Sequence, residues 1–488
     1  MKKGELVFIP FPSVGHFVPI LEMAKHLVAG DHRLSISILI IKLPGLDLPT
    51  KSYMQSLLGS MPVERINLIE LSEAENVDCT TSSSLIEYIT SFYENLKPYV
   101  RSAVKNLIDS FSGQPDAPTL AGFVIDMLCT AMIDVADEFG IPSYVFYASG
   151  AGCLRFMAHL ESLTATDQNK DFTKYNDEPD AEIVVPGFAN PVPAKVFPDV
   201  MLDKVDSPLI LGLYRDMMRT KGILVNTFME LESTMIDSLA EDKLLPPIYP
   251  VGPIVNLNNT NPIPNHKETN IVTWLDRQPP SSVVFLCFGS VGSFSGEQVK
   301  EIAVGLERSG VRFLWSLRKQ PQKDHPIIPE EYMDFNEVLP EGFLDRTAEI
   351  GKVIGWAPQV TVLAHSSVGG FVSHCGWNST LESLWFGVPM ATWSLYAEQR
   401  LNAFMLVKEF RLAVEIKFDY RRGFDEGTTV IVKAEEIAVR IRKLMESNND
   451  IRKRVKDISE KGKKGLLEGG SSYSSLCSFV NVVIDNMP

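Results

Sequence analysis

The side chains best suited to chemistry crowd between Trp356 and Gln399. Trp356 and Gln359 open this stretch, His374 ends the run "GGFVSH", "CGWNS" follows, Glu382 lies a few residues on, and Glu398-Gln399 close it. Core packing explains the leucines and valines between them but not the polar residues. "GGFVSH" reads as a buried strand, "CGWNS" as a turn, and "TLESLWFG" as a helix stopped by Gly387 and Pro389. Asn378 and Ser379 suit plain helix N-caps. The same turn also suits a phosphate: Gly376 lets a ligand approach the backbone, His374 stands at the strand end, and the helix amides and dipole favour an anion. Glu382 lies one helical turn further in on the same face. It is either a solvated carboxylate or, set back from the phosphates, an acceptor for a ribose diol. Trp356 is either core or a stacking platform for a nucleobase, worth about 1–3 kcal/mol. Glu398 and Gln399 either begin a helix, where the dipole favours Glu, or hydrogen-bond sugar hydroxyls.

A second group is remote in sequence. His16 follows "ELVFIPFP" and Asp126 ends "LAGFVI", each at the carboxyl end of a strand-like run. A lone histidine in an N-terminal loop is commonly a solvated bystander. Paired with a strand-end aspartate, it becomes a general base whose imidazolium the carboxylate orients and stabilises. In an open parallel sheet, ligands sit beyond the carboxyl ends of the strands. Two facing sheets would therefore bring His16, Asp126 and His374 to one cleft.

The elements that must position these residues alternate strand and helix in both halves. "ELVFIP", "LSISILII", "LAGFVI" and "SYVFYA" alternate with helical stretches, and "SVVFLCFG", "RFLWSLR", "KVIGW", "GGFVSH", "PMATW" and "AVEI" do the same later. Such patterning predicts parallel sheets covered by helices on both faces. At 488 residues the chain suits two such units. The Pro- and Asn-rich stretch "YPVGPIVNLNNTNPIPNHKET" reads as the linker between them. The expected division is residues 1–250, a linker over 251–270, a second domain over 271–460, and a helical tail over 461–488 that returns to the first domain.

Bulk properties restrict the partners. Sixty-one acidic against 46 basic residues give a net charge of -15, which argues against nucleic acid and anionic membranes. No apolar run reaches the roughly 18 residues of a membrane span. The N-terminal apolar run is interrupted by Pro10, Pro12 and His16, so no secretory signal is expected. Six scattered cysteines (79, 129, 153, 287, 375, 477) without a Cys-x-x-Cys pair fit reduced thiols in a cytoplasmic protein. The sequons at Asn258 and Asn378 are then coincidental.

Trp356–Gln399 resembles the 44-residue donor-site signature of plant family-1 UDP-dependent glycosyltransferases. Similarity extends through "FPSVGHFVPILEMAKHL", "VNTFMELE", "WLDRQPPSSVVFLCFGS" and "LPEGFLDR", nearly the whole chain. The resemblance implies an α/β GT-B fold, two Rossmann-like domains facing across a cleft. It implies that Trp356 stacks uracil, the backbone of Ala357 pairs its edge, and Gln359 and Glu382 hold the ribose. By the same resemblance His374, Asn378, Ser379 and Ser290 hold the diphosphate, and Trp377, Glu398 and Gln399 the sugar. A glutamine at 399 is the family's mark of glucose donors. His16 is then the base and Asp126 its partner, giving inversion to a β-glucoside. No metal or cofactor is expected, since UDP is a good leaving group and the chain has no Asp-x-Asp triplet. The protein is expected to be a monomer.

Two positions depart from the family pattern. Ala148 in "VFYASG" replaces a threonine that contacts the sugar, with Ser149 a possible substitute. Ser394 replaces a proline, which is expected to loosen the loop beside Tyr396 and Ala397. Phe17, Met127, Tyr396, Ala397 and the helix "SLIEYITSFYENL" are the expected acceptor lining, suited to a flat apolar flavonoid, other phenolic or terpenoid, although the same residues suit a core. Rival classes fare worse. "CFGSVGSFSG" has the wrong glycine spacing for a dinucleotide fold, and neither Gly-x-Ser-x-Gly nor a Walker loop is present. A non-catalytic UDP-sugar sensor would have no use for His16 and Asp126, and transfer of another UDP-sugar stays open.

Overall fold

The computed structural model describes residues 2–43, 64–71, 82, 84–113, 116–167, 170–257, 266–321, 329–420 and 430–487. Cys79, the sequon at Asn258 and the middle of the expected linker lie outside them.

Seven strands form one sheet: β1 (Gly4–Ile9), β2 (Leu34–Ile40), β3 (Ile66–Glu70), β4 (Thr119–Asp126), β5 (Ser143–Tyr147), β6 (Ile223–Val225) and β7 (Ile248–Pro250). Their order is β3-β2-β1-β4-β5-β6-β7, parallel throughout. A second parallel sheet holds β8 (Val283–Cys287), β9 (Arg312–Ser316), β10 (Gly351–Ile354), β11 (Val368–Ser373), β12 (Met390–Trp393) and β13 (Ala413–Lys417), ordered β10-β9-β8-β11-β12-β13. Each sheet thus reverses direction once, between β1 and β4 and between β8 and β11. The crevice beyond the strand ends opens at such a reversal.

The helices that matter for the site are α1 (Val14–Gly30), α2 (Leu85–Phe111), α3 (Met132–Glu138), α4 (Ala151–Thr166), α5 (Met229–Glu241), α6 (Gly296–Ser309), α7 (Trp377–Trp385), α8 (Gln399–Phe404), α9 (Ala434–Met445), α10 (Asp450–Gly465) and α11 (Ser471–Asp485). Side-chain alternation divides them between faces. Leu6 and Phe8 of β1 pack with Ile20, Leu21 and Ala24 of α1 and with Phe479 and Val483 of α11. Val7 and Ile9 pack instead with Phe92, Tyr93 and Leu96 of α2 and Met132 of α3. In the second sheet Val284 and Leu286 meet α6 and α9, while Val283 and Phe285 join Leu381 and Leu384 of α7. That last cluster also takes in Val145 and Tyr147 of β5, so the two halves share apolar packing. Burial on both faces is why the strands read as continuous apolar runs.

The tail crosses back. Phe479 of α11 packs edge-on against Tyr144 (5.0 Å) and Tyr249 (5.5 Å) of the first sheet. Helix α10 lies against both α5 and α7, and a boundary at residue 460 would cut through it. We propose that the tail begins at the turn after Gly465 instead. No described helix is long and apolar enough to cross a membrane.

Candidate active site

Because β1 and β4 are neighbours, with Ile9 beside Ile125, the segment after β1 passes the end of β4. Asp126 is fully buried there. Its Oδ2 lies 2.9 Å from Nδ1 of His16, and its Oδ1 accepts the Leu128 amide at 2.9 Å. His16 is not in a loop as its sequence position implied: Ser13 precedes α1, and His16 is in the first turn of that helix. A helical backbone fixes the ring more firmly than a loop would. With Nδ1–H donating to the carboxylate, Nε2 is the nitrogen available to take a proton. Burial works against charging the ring, but the Asp126 charge and hydrogen bond, aided by Glu398, outweigh it and raise the pKa above the ordinary histidine value.

The turn after β11 faces this pair. Cys375 has a left-handed backbone (φ +65), a strained conformation for a side-chain-bearing residue. It is held by its amide, which donates to Ser373 Oγ (3.1 Å), and by its carbonyl, which accepts Asn402 Nδ2 (3.1 Å). The kink makes Gly376 the N-cap of α7. Asn378 and Ser379 are therefore first-turn residues rather than caps, and their side chains are freed from capping. His374 is pressed between two glycines: a Cβ on either Gly289 or Gly376 would lie 2.6 Å from its Nε2. Burial pushes its imidazole down to about 4, so it is neutral, and its Nδ1 has no partner among the described residues. Ser290 is exposed in the turn after β8, the strand beside β11.

Further along, Gln359 Nε2 donates to Ser379 Oγ (2.8 Å) and Glu382 Oε2 (2.7 Å), joining three of the expected donor residues. Glu382 is half-buried rather than solvated, and desolvation raises its pKa to about 7. Trp356 is 55% exposed, which excludes a core role. The Arg318 guanidinium lies 5.6 Å from its ring centre, and the Trp356 amide donates to Glu331. Ala357, next to it, is buried.

At the sugar end the structure departs from several expectations. The indole of Trp377 does not point into the cleft. It is 3% exposed, donates from Nε1 to the Asn226 carbonyl (2.7 Å), and lies where a Cβ on Gly150 would clash. The indole is thus committed to the contact between the two halves. Gln399 is buried and commits its Oε1 to the amides of Leu395 and Tyr396, 3.1 Å each. Glu398 is half-buried at the start of α8, after Ala397 in a left-handed conformation (φ +54). Ser394 does not loosen its loop: buried, it donates from Oγ to the Phe418 carbonyl (2.6 Å). Ala148 and Ser149 beside it are both buried.

Of the expected acceptor lining, Phe17 is contradicted. It is 1% exposed in the core with Leu6 and Ile20, because it sits on the sheet side of α1. Met127, Tyr396 and Ala397 are half-buried, with the Tyr396 ring 6.3 Å from that of His374. Within "SLIEYITSFYENL", Ile89, Phe92, Tyr93 and Leu96 are core residues.

The two groups meet. Asn378 donates from Nδ2 to the Gly15 carbonyl (2.6 Å), immediately before His16. Neither Gly15 nor Asn226 stood out in the sequence. Asn226 lies in the quoted "VNTFMELE", but no local pattern marks a carbonyl as the partner of an indole 151 residues away.

Two doubly wound parallel sheets, with the His16–Asp126 pair at the reversal of one and the N-terminus of α7 at the reversal of the other, form a GT-B fold. Residues 195–420 match the family model described as UDP-glucoronosyl and UDP-glucosyl transferase. UDP-glucose flavonoid 3-O-glucosyltransferase 6 of Fragaria ananassa is 50% identical, with 99% of this chain and 99% of that protein covered. A UGT transferase from Siraitia grosvenorii in complex with UDP aligns at a TM-score of 0.84 and 45% identity, over 99% of this chain and 100% of that one. UGT71G1 of Medicago truncatula, complexed with UDP-glucose, aligns at 0.84 and 40%, over 99% and 98%. The chain belongs to the plant family-1 UDP-dependent glycosyltransferases.

Proposed function

We propose that the protein transfers glucose from UDP-glucose to a hydroxyl of a small apolar plant metabolite with inversion, His16 acting as general base and Asp126 as its orienting partner. The observation that carries this reading is that His16 Nδ1 lies 2.9 Å from a fully buried carboxylate, while the Gly15 carbonyl next to it accepts from Asn378 in the first turn of α7. The strawberry relative is named for UDP-glucose and flavonoids, and the Medicago neighbour holds UDP-glucose, which supports glucose and a phenolic acceptor.

In the proposed step, Nε2 takes the acceptor hydroxyl proton as the oxygen attacks the anomeric carbon. The new C–O bond forms while the bond from that carbon to the diphosphate oxygen breaks, and its electron pair leaves with UDP. Inversion follows from attack opposite the leaving group. The α7 amides, Asn378, Ser379 and neutral His374 accept the charge that develops on the diphosphate, which preorganised donors do without reorganisation. The imidazolium, held by Asp126, later releases its proton to solvent. Trp356 and Ala357 take the uracil, Gln359 and Glu382 the ribose, and Glu398 with Gln399 the hexose. UDP-glucose is a co-substrate, and nothing in the step calls for a metal. The five described cysteines are free thiols, Cys477 among them exposed, which supports a reducing, cytoplasmic location, and a monomer suffices because the residues of both proposed half-sites belong to one chain.

The test is incubation with UDP-glucose and a panel of phenolics and terpenoids, with products identified by mass and parallel runs with UDP-galactose and UDP-glucuronate. A β-glucoside formed faster than the other glycosides supports the reading. UDP-glucose binding with no product across the panel would favour a sensor.

A further inference from the structure

Helix α8 runs on into a π-turn, Met405–Glu409, and this continuous rod holds one segment of the N-terminal half at both of its ends. At its start, Arg400 donates from Nη2 to Asp199 Oδ1 and from Nη1 to the Lys195 carbonyl (3.2 Å). At its end, Glu409 accepts from the Ala189 amide (2.8 Å), the Asn190 amide (3.0 Å) and Asn190 Nδ2 (2.8 Å). The segment 189–199 is itself rigid. Val192, Ala194, Val196 and Phe197 are fully buried, and Phe197 packs 5.0 Å from Phe156 and 5.4 Å from Tyr175.

Arg400 is fully buried. A guanidinium stripped of water is stable only where carboxylate and carbonyl oxygens replace the lost hydration. Those oxygens come from the other half of the molecule, so the contact holds in this arrangement of the halves and is lost in another. Arg400 directly follows Glu398 and Gln399, and the internal bonds of Gln399 make residues 395–400 one rigid turn.

We propose that Arg400 and Glu409, closed on the strap 189–199, form a latch that positions Glu398 and Gln399 against the N-terminal half, and that this latch governs sugar transfer rather than uridine binding. The inference rests on the reading that Glu398 and Gln399 contact the hexose. On the same reading the uridine contacts fall to Trp356, Gln359 and Glu382, whose hydrogen bonds run to Glu331, to Ser379 and to one another rather than to the strap. Arg400 is thus a positioning residue: it moves the sugar turn, not the base.

Arg400→Gln is expected to lower kcat/KM for UDP-glucose by about tenfold or more, since misplacing reacting groups by an ångström can cost about 100-fold, while the Kd for UDP stays within about twofold. Asp199→Asn acts in the same direction, and the double variant is no worse than Arg400→Gln alone, because both remove one interaction. Glu398→Ala and Gln399→Ala run alongside and are expected to weaken UDP-glucose relative to UDP. If they do not, the sugar reading has failed. If they do, and Arg400→Gln keeps the wild-type kcat/KM or weakens UDP and UDP-glucose equally, the latch is overturned. Should Arg400→Gln not fold, the strap-side Asp199→Asn and the surface Glu409→Gln carry the same test.

Discussion

Asn378 donates from Nδ2 to the Gly15 carbonyl across 2.6 Å, so the first turn of α7 is tied to the residue preceding His16. An amide nitrogen carries two hydrogens, and in the proposed mechanism the second serves a diphosphate oxygen. On that proposal one side chain would hold both the leaving group and the turn that carries His16. Asn378→Ala should raise KM for UDP-glucose and lower kcat together, each by about tenfold, as expected when a group that both binds and orients is removed. Steady-state kinetics over both substrates checks this. A rise in KM at constant kcat would mean that Asn378 only binds.

The His16–Asp126 pair sets a pH dependence. The imidazole pKa is raised, so the ring is protonated, and inactive as a base, up to a higher pH than an ordinary histidine. Activity should therefore fall as pH drops through a pKa above the unperturbed value of about 6.5. Asp126→Asn removes the charge and, with its amide oxygen kept on the Leu128 amide, turns a donor toward His16 Nδ1, so the acidic limb of the kcat/KM profile should move to lower pH while kcat falls by about 100-fold or more from loss of the correct tautomer and ring orientation. The pH–rate profile of both proteins decides it. An unmoved acidic limb would show that another group titrates there.

Glu382 titrates near neutrality, with a pKa of about 7. Its ionised form accepts hydrogen bonds from a diol better than the protonated acid does. UDP-glucose affinity should weaken as pH falls through about 7, and Glu382→Gln should weaken binding and flatten that dependence. Calorimetry with UDP-glucose, whose phosphates do not titrate in this range, separates the protein's contribution.

Phe479 is the aromatic anchor of the tail helix, beside Val480 and Val483. Phe479 is fully buried between Tyr144 and Tyr249, and Phe479→Ala should cost about 3–5 kcal/mol locally. Thermal unfolding of that variant should start at a lower temperature, and amides of Ser471–Asp485 should exchange faster with solvent. Unchanged exchange there would mean that the turn after Gly465 and not the aromatic contact holds the tail.

Strand identity and the placing of His16, Asp126 and His374 beyond strand ends were legible because parallel strands leave uninterrupted apolar runs that end abruptly. Short β6 and β7, three residues each, carry too little pattern to stand out. The start of α7 was misjudged because capping preference is local, whereas the left-handed Cys375 is enforced by Ser373 and by Asn402, which is remote in sequence. The burial of Phe17 and of the Trp377 indole was not legible for a related reason. Composition marks an aromatic as valuable, but only the rotation of its helix decides whether it meets the sheet or the cleft. Ser394 was misread by comparing it with a proline, when its hydroxyl replaces backbone rigidity with a hydrogen bond to the Phe418 carbonyl. The contacts between halves, at Gly15, Asn226 and Asp199, involve backbone carbonyls and pairings over 151 to 363 residues, and no periodicity records them.

The most direct measurement compares His16→Ala with the wild-type protein in single-turnover transfer from UDP-glucose to a phenolic acceptor, with UDP binding measured on the same preparations. Base catalysis of this kind contributes about 10²–10⁴-fold. The variant should bind UDP as the wild type does and form product at least about 100-fold more slowly. Transfer at the wild-type rate with intact UDP binding would remove His16 from the reaction.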